Sequence, residues 1–206
     1  MSREELEQVA AEVSTCPKCN LCKTRTKAVP GEGNPSASIM LIGEGPGYHE
    51  DKQGRPFVGA AGQFLDELLA SIGVKRSDVF ITNVVKCRPP ENRDPLPEEI
   101  SACAPYLDRQ IAAINPKVIV TLGRFSMQKF FAGSSISSIH GRARKINGRI
   151  CVPMYHPAAG LHKAELRSTI VEDFKKVKQA LAEAERLSES EKPKPQDDQP
   201  QQLSLF

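Results

Sequence analysis

Three groups of residues carry reactive or recognition side chains at usable spacings. The first is the run Gly43-Glu44-Gly45-Pro46-Gly47-Tyr48-His49-Glu50-Asp51, continued by Gly54-Arg55-Pro56-Phe57-Val58-Gly59. It offers carboxylates, aromatic rings and many free backbone N–H groups, the material of a small polar pocket with one stacking surface. The second group is thiol. Cys16 and Cys19 form a C-x-x-C pair, and Cys87 and Cys103 lie far downstream. Together they make a four-thiolate set that suits zinc or a [4Fe–4S] cluster, although the long gaps do not match a compact zinc finger. The alternative is that all are buried thiols, since free cysteine is a common core residue. A C-x-x-C in a polar loop is poorly explained that way. Cys22 either substitutes for Cys19 or is a bystander, and Cys151, between Ile150 and Val152, reads as core. The third group is Asn83 and His156, each at the end of an apolar run. An asparagine there is otherwise a turn former, and a lone histidine is otherwise structural.

The apolar pattern supplies elements to carry these groups. Strands are expected at Ser38–Ile42, Val79–Val85, Val118–Leu122 and Arg149–Met154. Helical spacing follows each of them: Phe64, Leu65, Leu68, Leu69 and Ile72; then Ile100, Cys103, Leu107, Ile111 and Ile114; then Phe125–Phe131; then Leu166, Ile170, Phe174, Val177 and Leu181. A further short helix is expected over residues 2–13. Pro105 interrupts the second pattern and predicts a kink, or a fresh start with Pro105 in the first turn. Pro89, Pro90, Pro95 and Pro97 make the loop before it stiff and extended. The strand–helix alternation predicts an α/β fold, a three-layer α/β/α sandwich around a central, mostly parallel four-stranded sheet. The first glycine-rich loop then sits at the carboxyl end of a strand, where open α/β sheets bind ligands.

Composition sets the bounds. The chain has 206 residues, with 28 Lys and Arg against 25 Asp and Glu, a formal net charge of +3. Mild basicity is compatible with a polyanionic partner but does not demand one. No apolar run approaches the roughly 18 residues of a membrane span, and the charged start Met1-Ser-Arg-Glu-Glu5 has no signal-peptide core. A cytoplasmic protein without disulfides is expected. From about Ser188 the apolar periodicity stops, so residues 1–187 are expected to form one domain and 188–206 a disordered polar tail.

Four motifs, in order, carry a resemblance: Gly43-Glu-Gly-Pro-Gly47, Gly54-Arg-Pro-Phe-Val-Gly59, Thr82-Asn-Val-Val-Lys-Cys-Arg-Pro-Pro90 and His156-Pro157. With the cysteine quartet they resemble family 4 uracil-DNA glycosylases, the iron–sulfur branch of that superfamily, over about residues 14–183. The resemblance implies hydrolysis of the N-glycosidic bond of uracil in DNA, leaving an abasic site for base excision repair. It implies a [4Fe–4S] cluster on Cys16, Cys19, Cys87 and Cys103, uracil-containing DNA as partner, and a monomer associated with the nucleoid.

The chemistry of that task fits the residues. Uracil lies inside a duplex and must be flipped into a pocket. Phe57 would stack on the flipped ring. The Asn83 amide, donor and acceptor at once, would pair with the O4 and N3–H edge, where cytosine presents the opposite pattern. By resemblance Glu50 crowds C5 against the thymine methyl, backbone near Glu44 and Gly45 contacts the base, and His156 donates to uracil O2 as the base departs. Asp51 is expected to be structural or solvent-exposed. Other branches carry an aspartate that positions water where this chain has Gly45, so water activation falls to Glu44 or to the substrate phosphates. Many relatives read His-Pro-Ser, whereas this chain has Ala158, which removes a hydroxyl contact to phosphate. Leu161 is either a wedge into the base stack or packing under its loop. Arg142 and Arg144, within the basic stretch His140–Arg149, face either the DNA backbone or solvent.

The last residues, Gln202-Leu203-Ser204-Leu205-Phe206, resemble the pentapeptide by which bacterial repair proteins bind the sliding clamp. Exposed apolar residues on a polar tether suit docking into a groove. Three rival readings remain at this point. One is a relative that traps uracil-DNA covalently through a histidine in the loop after the third cysteine. The loop Arg88–Glu99 contains no histidine. The others are a metal-stabilised, non-enzymatic DNA-binding adaptor and a nucleotide-binding α/β protein, the latter without a Walker lysine.

Overall fold

The computed structural model describes residues 2–190, with side chains through residue 187. Six strands form one sheet in the order β1-β3-β2-β4-β6-β5. The inner four are β2 (Ile39–Gly43), β3 (Phe80–Asn83), β4 (Val118–Leu122) and β6 (Arg149–Met154), and they run parallel. They are the four strands the apolar runs predict. The four-stranded expectation is nevertheless short by two. β1 (Glu32–Gly33) and β5 (Arg144–Ile146) add antiparallel edges against β3 and β6. Both are short, and only Ile146 among their residues is strongly apolar, so neither carries a burial pattern to read.

Helices cover both faces. Alternate residues of the strands feed two cores, because successive strand side chains point to opposite faces. Ile39, Leu41, Val118, Val120 and Val152 pack on Phe64, Leu65 and Leu68 of α3 (Ala60–Ser71) and on Ile170, Phe174 and Val177 of α8 (Ala164–Ser190). Met40, Ile42, Ile119 and Cys151 pack on Val9 and Val13 of α1 (Ser2–Thr15) and on Tyr106, Leu107 and Ile111 of α4 (Pro97–Ile114). Burial on both faces is what made these strands read as continuous apolar runs.

Two details differ from the pattern. α4 is one helix with Pro105 inside it, not a fresh start at that residue. Pro97 occupies its first turn instead, and Glu99 accepts the Leu96 N–H as a capping group. The helix expected over Phe125–Phe131 is shorter, α5 at Arg124–Gln128. Three short helices complete the fold: α2 (Tyr48–Gln53), α6 (Ile136–Ile139) and α7 (Pro157–His162). Among the described residues no helix is long and apolar enough to cross a membrane.

Candidate active site

The carboxyl ends of β2, β3 and β6 open onto one cavity of about 310 Å³, lined by Glu44, Gly45, Glu50, Phe57, Asn83 and His156 among others. The six pocket residues proposed from sequence are thus brought together. Their positions follow from strand ends. In the parallel register Gly43 lies opposite Asn83. A Cβ at Gly43 would overlap Asn83 Oδ1 and come within 2.8 Å of the Phe57 ring. Glycine there lets the amide and the ring stand side by side.

Phe57 is 6 % exposed and holds a left-handed backbone, with φ of 51°. That conformation is costly for a non-glycine residue, and such outliers persist where surroundings enforce them. Two contacts do so. The Glu50 carboxylate accepts the N–H groups of Val58 and Gly59 at 2.8 and 3.0 Å. Gly62, in the first turn of α3, leaves room for the Phe57 carbonyl that any Cβ would occupy. Glu50 therefore shapes the loop as well as lining the cavity. Its neighbour Asp51 is buried and accepts the Thr26 N–H at 2.8 Å, a structural bond.

Asn83 is 1 % exposed, and its Oδ1 has no hydrogen-bond partner among the described residues. An orphaned buried acceptor costs free energy unless a ligand supplies the donor. His156 supplies the complement. Its Nδ1 accepts the Ala158 N–H at 3.1 Å. A ring nitrogen that accepts carries no hydrogen, so the neutral ring keeps its proton on Nε2. Desolvation pushes the His156 pKa down to about 4, opposed by the nearby Glu50 charge. The ring is therefore a neutral donor at pH 7. It lies nearly parallel to Phe57, with centroids 5.5 Å apart and planes at 21°.

Glu44 joins two strand ends. It leaves β2 and accepts the Phe125 N–H of α5 at 3.1 Å. Burial raises its pKa above the usual carboxylate range, against the lowering pull of the Phe125 and Arg124 N–H groups. The cavity is also lined by Asn92, Arg93, Asp94 and Pro95, which sequence reasoning did not assign. The Arg93 guanidinium grips buried Glu99 through two bonds of 2.9 and 2.7 Å, and Asp94 pairs with Arg124. The density of prolines was the one available signal that this loop is fixed.

The remaining candidates lie apart from the cavity. Leu161 is 40 % exposed on α7, the helix that His156 caps. Arg142 and Arg144 are exposed on the β5 edge. Within the same stretch, His140 is held by Asp173 at 2.6 Å and Arg149 by Asn115 at 2.8 Å. Gln202, Leu203, Ser204, Leu205 and Phe206 lie outside the described residues.

Cys16, Cys19, Cys87 and Cys103 line a second, mostly apolar space together with Val13, Leu21, Val85 and Tyr106. N–H donors point at the sulfurs: Arg25 Nη1 at Cys87 Sγ, 3.1 Å, and the Lys86 backbone N–H at Cys103 Sγ, 3.3 Å. Such donors suit thiolates. Burial pushes the free thiols of Cys19 and Cys87 up, and that of Cys103 to about 11. Among the described residues no three His, Cys, Asp or Glu side chains are disposed to hold a single metal ion. Cys22 is half-buried and is not among the residues lining this space, and Cys151 lies in the core.

The Uracil DNA glycosylase superfamily matches residues 30–182. A type-4 uracil-DNA glycosylase of Sulfurisphaera tokodaii is 53 % identical over 186 residues, 85 % of this chain and 84 % of the relative. The chain belongs to the type-4 uracil-DNA glycosylases. The type-4 enzyme of Archaeoglobus fulgidus is 49 % identical over 84 % of this chain and 92 % of its own length. That of Saccharolobus solfataricus is 51 % identical over 87 % and 88 %. Family membership assigns this type-4 chain the fold that its strand ends build.

Proposed function

We propose that this chain is a monofunctional, monomeric uracil-DNA glycosylase of base excision repair. The observation that carries the reading is the pairing, in one cavity, of an orphaned Asn83 Oδ1 with a neutral His156 whose Nε2 holds the proton. Asn83 Oδ1 accepts uracil N3–H and its amide N–H₂ donates to O4. Cytosine, with a bare N3 and an amino group at C4, would face acceptor with acceptor and donor with donor. Phe57 walls the cavity as the stacking surface, and Glu50 stands where the C5 substituent of the base enters.

Breaking the N1–C1′ bond leaves positive charge on the sugar and negative charge on uracil O2, as in other oxocarbenium-like glycoside cleavages. The His156 Nε2–H donates to O2 as that charge develops. A neutral donor is suited to this because it strengthens its bond as the anion forms without ever transferring a full charge. Glu44, raised in pKa and anchored on α5, holds the attacking water; a carboxylate nearer neutrality is the better base. The backbone of Glu44 and Gly45 contacts the base, Leu161 enters the gap left in the stack, and Arg142 and Arg144 meet phosphates.

Cys16, Cys19, Cys87 and Cys103 would hold a [4Fe–4S] cluster. A zinc ion needs sulfurs converging at about 2.3 Å on one point, whereas a cluster takes one thiolate per iron and accepts ligands spread around a wider body. The N–H donors aimed at Cys87 and Cys103 support the same reading. The cluster would supply a structural tie between the N-terminal segment and the Cys87–Cys103 loop, and no chemical step. The tail Gln202–Phe206 would dock on the DNA sliding clamp and keep the nucleoid-bound enzyme at high local concentration. Incubating the protein with a uracil-containing oligonucleotide and then with alkali tests the activity: strand scission at the uracil is expected, and an uncut strand would reject it.

A further inference from the structure

Lys86 is only 1 % exposed and is among the largest fully buried side chains of the described residues. Lysine is almost never buried without a counter-charge. Here the ammonium donates to three oxygens that are all neutral: Thr82 Oγ1 at 2.5 Å, the Asn83 carbonyl at 2.8 Å and Gln110 Oε1 at 2.7 Å. Thr82 and Gln110 are themselves fixed, since both donate to the Pro30 carbonyl. The three N–H bonds of the ammonium are therefore satisfied, but its charge is not balanced by any of these partners.

Its place in the fold indicates what balances it. The chain leaves β3 at Asn83, and Val84 and Val85 donate to the carbonyls of Gly43 and Glu44. Lys86 follows, and its side chain turns back under Asn83. Its own backbone N–H donates to Cys103 Sγ, and Cys87 is next in sequence. One residue thus touches the cysteine quartet with its backbone and the base-recognition residue with its side chain.

We infer that Lys86 is a positioning residue: its buried cation is balanced by the thiolates of the quartet, and it clamps the Asn83 carbonyl so that the Asn83 amide is fixed in the cavity. This rests on the uracil-excision and cluster readings above. A cluster held by four thiolates would carry net negative charge, which suits a buried ammonium on the residue whose backbone N–H already donates to Cys103 Sγ. Clamping the backbone at Asn83 also explains how Oδ1 can stay unpartnered without the side chain turning away. A metal centre held by the quartet would then support base recognition only through the charge of Lys86, with no electron transfer.

The test is Lys86→Met in the full-length, cluster-loaded protein, beside wild type. Methionine keeps the length and removes the charge and all three bonds. Two readouts are taken: steady-state kcat and KM on uracil-DNA, and the reduction potential of the cluster. Contacts to phosphate set most of the affinity for DNA, and Asn83 acts only on the flipped base. The fall is therefore expected in kcat, by about tenfold or more, as befits lost charge-assisted bonds, with KM within about twofold of wild type. Removing a nearby cation disfavours reduction, so the potential is expected to become more negative. A wild-type kcat, or an unmoved potential, overturns the inference. Should Lys86→Met not fold, Thr82→Val deletes one acceptor at constant shape; a lowered kcat at unchanged KM supports the clamp, and a wild-type kcat overturns it. Wild-type protein that carries iron but excises no uracil would instead count against the enzymatic reading, and wild type without iron would count against the charge balance.

Discussion

At the scale of single residues, the site works through hydrogen-bond polarity. Asn83 presents an acceptor that nothing among the described residues satisfies, and His156 presents a donor whose protonation is fixed by one backbone bond. On the proposed roles, His156→Ala removes the donor to the departing base, and Asn83→Ala removes the recognition pair. Each is expected to lower single-turnover excision by about a hundredfold or more, the scale of losing one such preorganised group, with circular dichroism unchanged. Excision at wild-type rates would reassign the site. The His156 pKa of about 4 has a second consequence. Between that value and the ordinary histidine value near 6.5, the unfolded chain binds a proton that the native ring refuses. Stability therefore falls as pH drops through this window, while His156 stays a neutral donor down to about pH 5. Denaturant unfolding at pH 7 and 4.5 should show wild type losing about 2 kcal/mol more than His156→Ala; equal losses would mean that the ring is not desolvated.

At the scale of elements, the site is an intersection of strand ends. The registers Gly43 with Asn83 and Leu122 with Met154 bring the carboxyl ends of four strands to one edge. Gly43→Ala tests this directly. The added methyl group would push against Asn83 and Phe57 together, so excision is expected to fall more than about tenfold with modest loss of stability; full activity with the alanine in place would contradict the packing described. The four inner strands were legible because burial on both faces leaves unbroken apolar runs such as Ile39-Met-Leu-Ile42. The edge strands were not, because Glu32–Gly33 and Arg144–Ile146 bury little and are formed by pairing alone. The same division holds at the site. Phe57, Asn83 and His156 carried visible motifs, but their neighbours Asn92–Pro95 depend on Arg93 reaching Glu99 and Asp94 reaching Arg124. Lys86 was hidden for a related reason: a lysine after a strand reads as a surface residue until its side chain is seen to turn inward.

At the scale of the whole molecule, the two helical layers separate two tasks. The layer of α1 and α4 carries the cysteine quartet, the opposite layer carries α3 and α7 behind Phe57 and His156, and the sheet edge between them holds Asn83. Deleting Gln202–Phe206 is expected to abolish binding to the bacterial sliding clamp while leaving excision from short oligonucleotides at the wild-type rate; retained clamp binding would remove the tether from the account. The central claim is that this cavity grips an everted uracil and eases its departure as an anion. Chromatography of the bases released from DNA containing uracil, cytosine and thymine measures it most directly. Stoichiometric free uracil, with neither cytosine nor thymine, is the expected result; intact DNA after incubation with iron-loaded protein would contradict it.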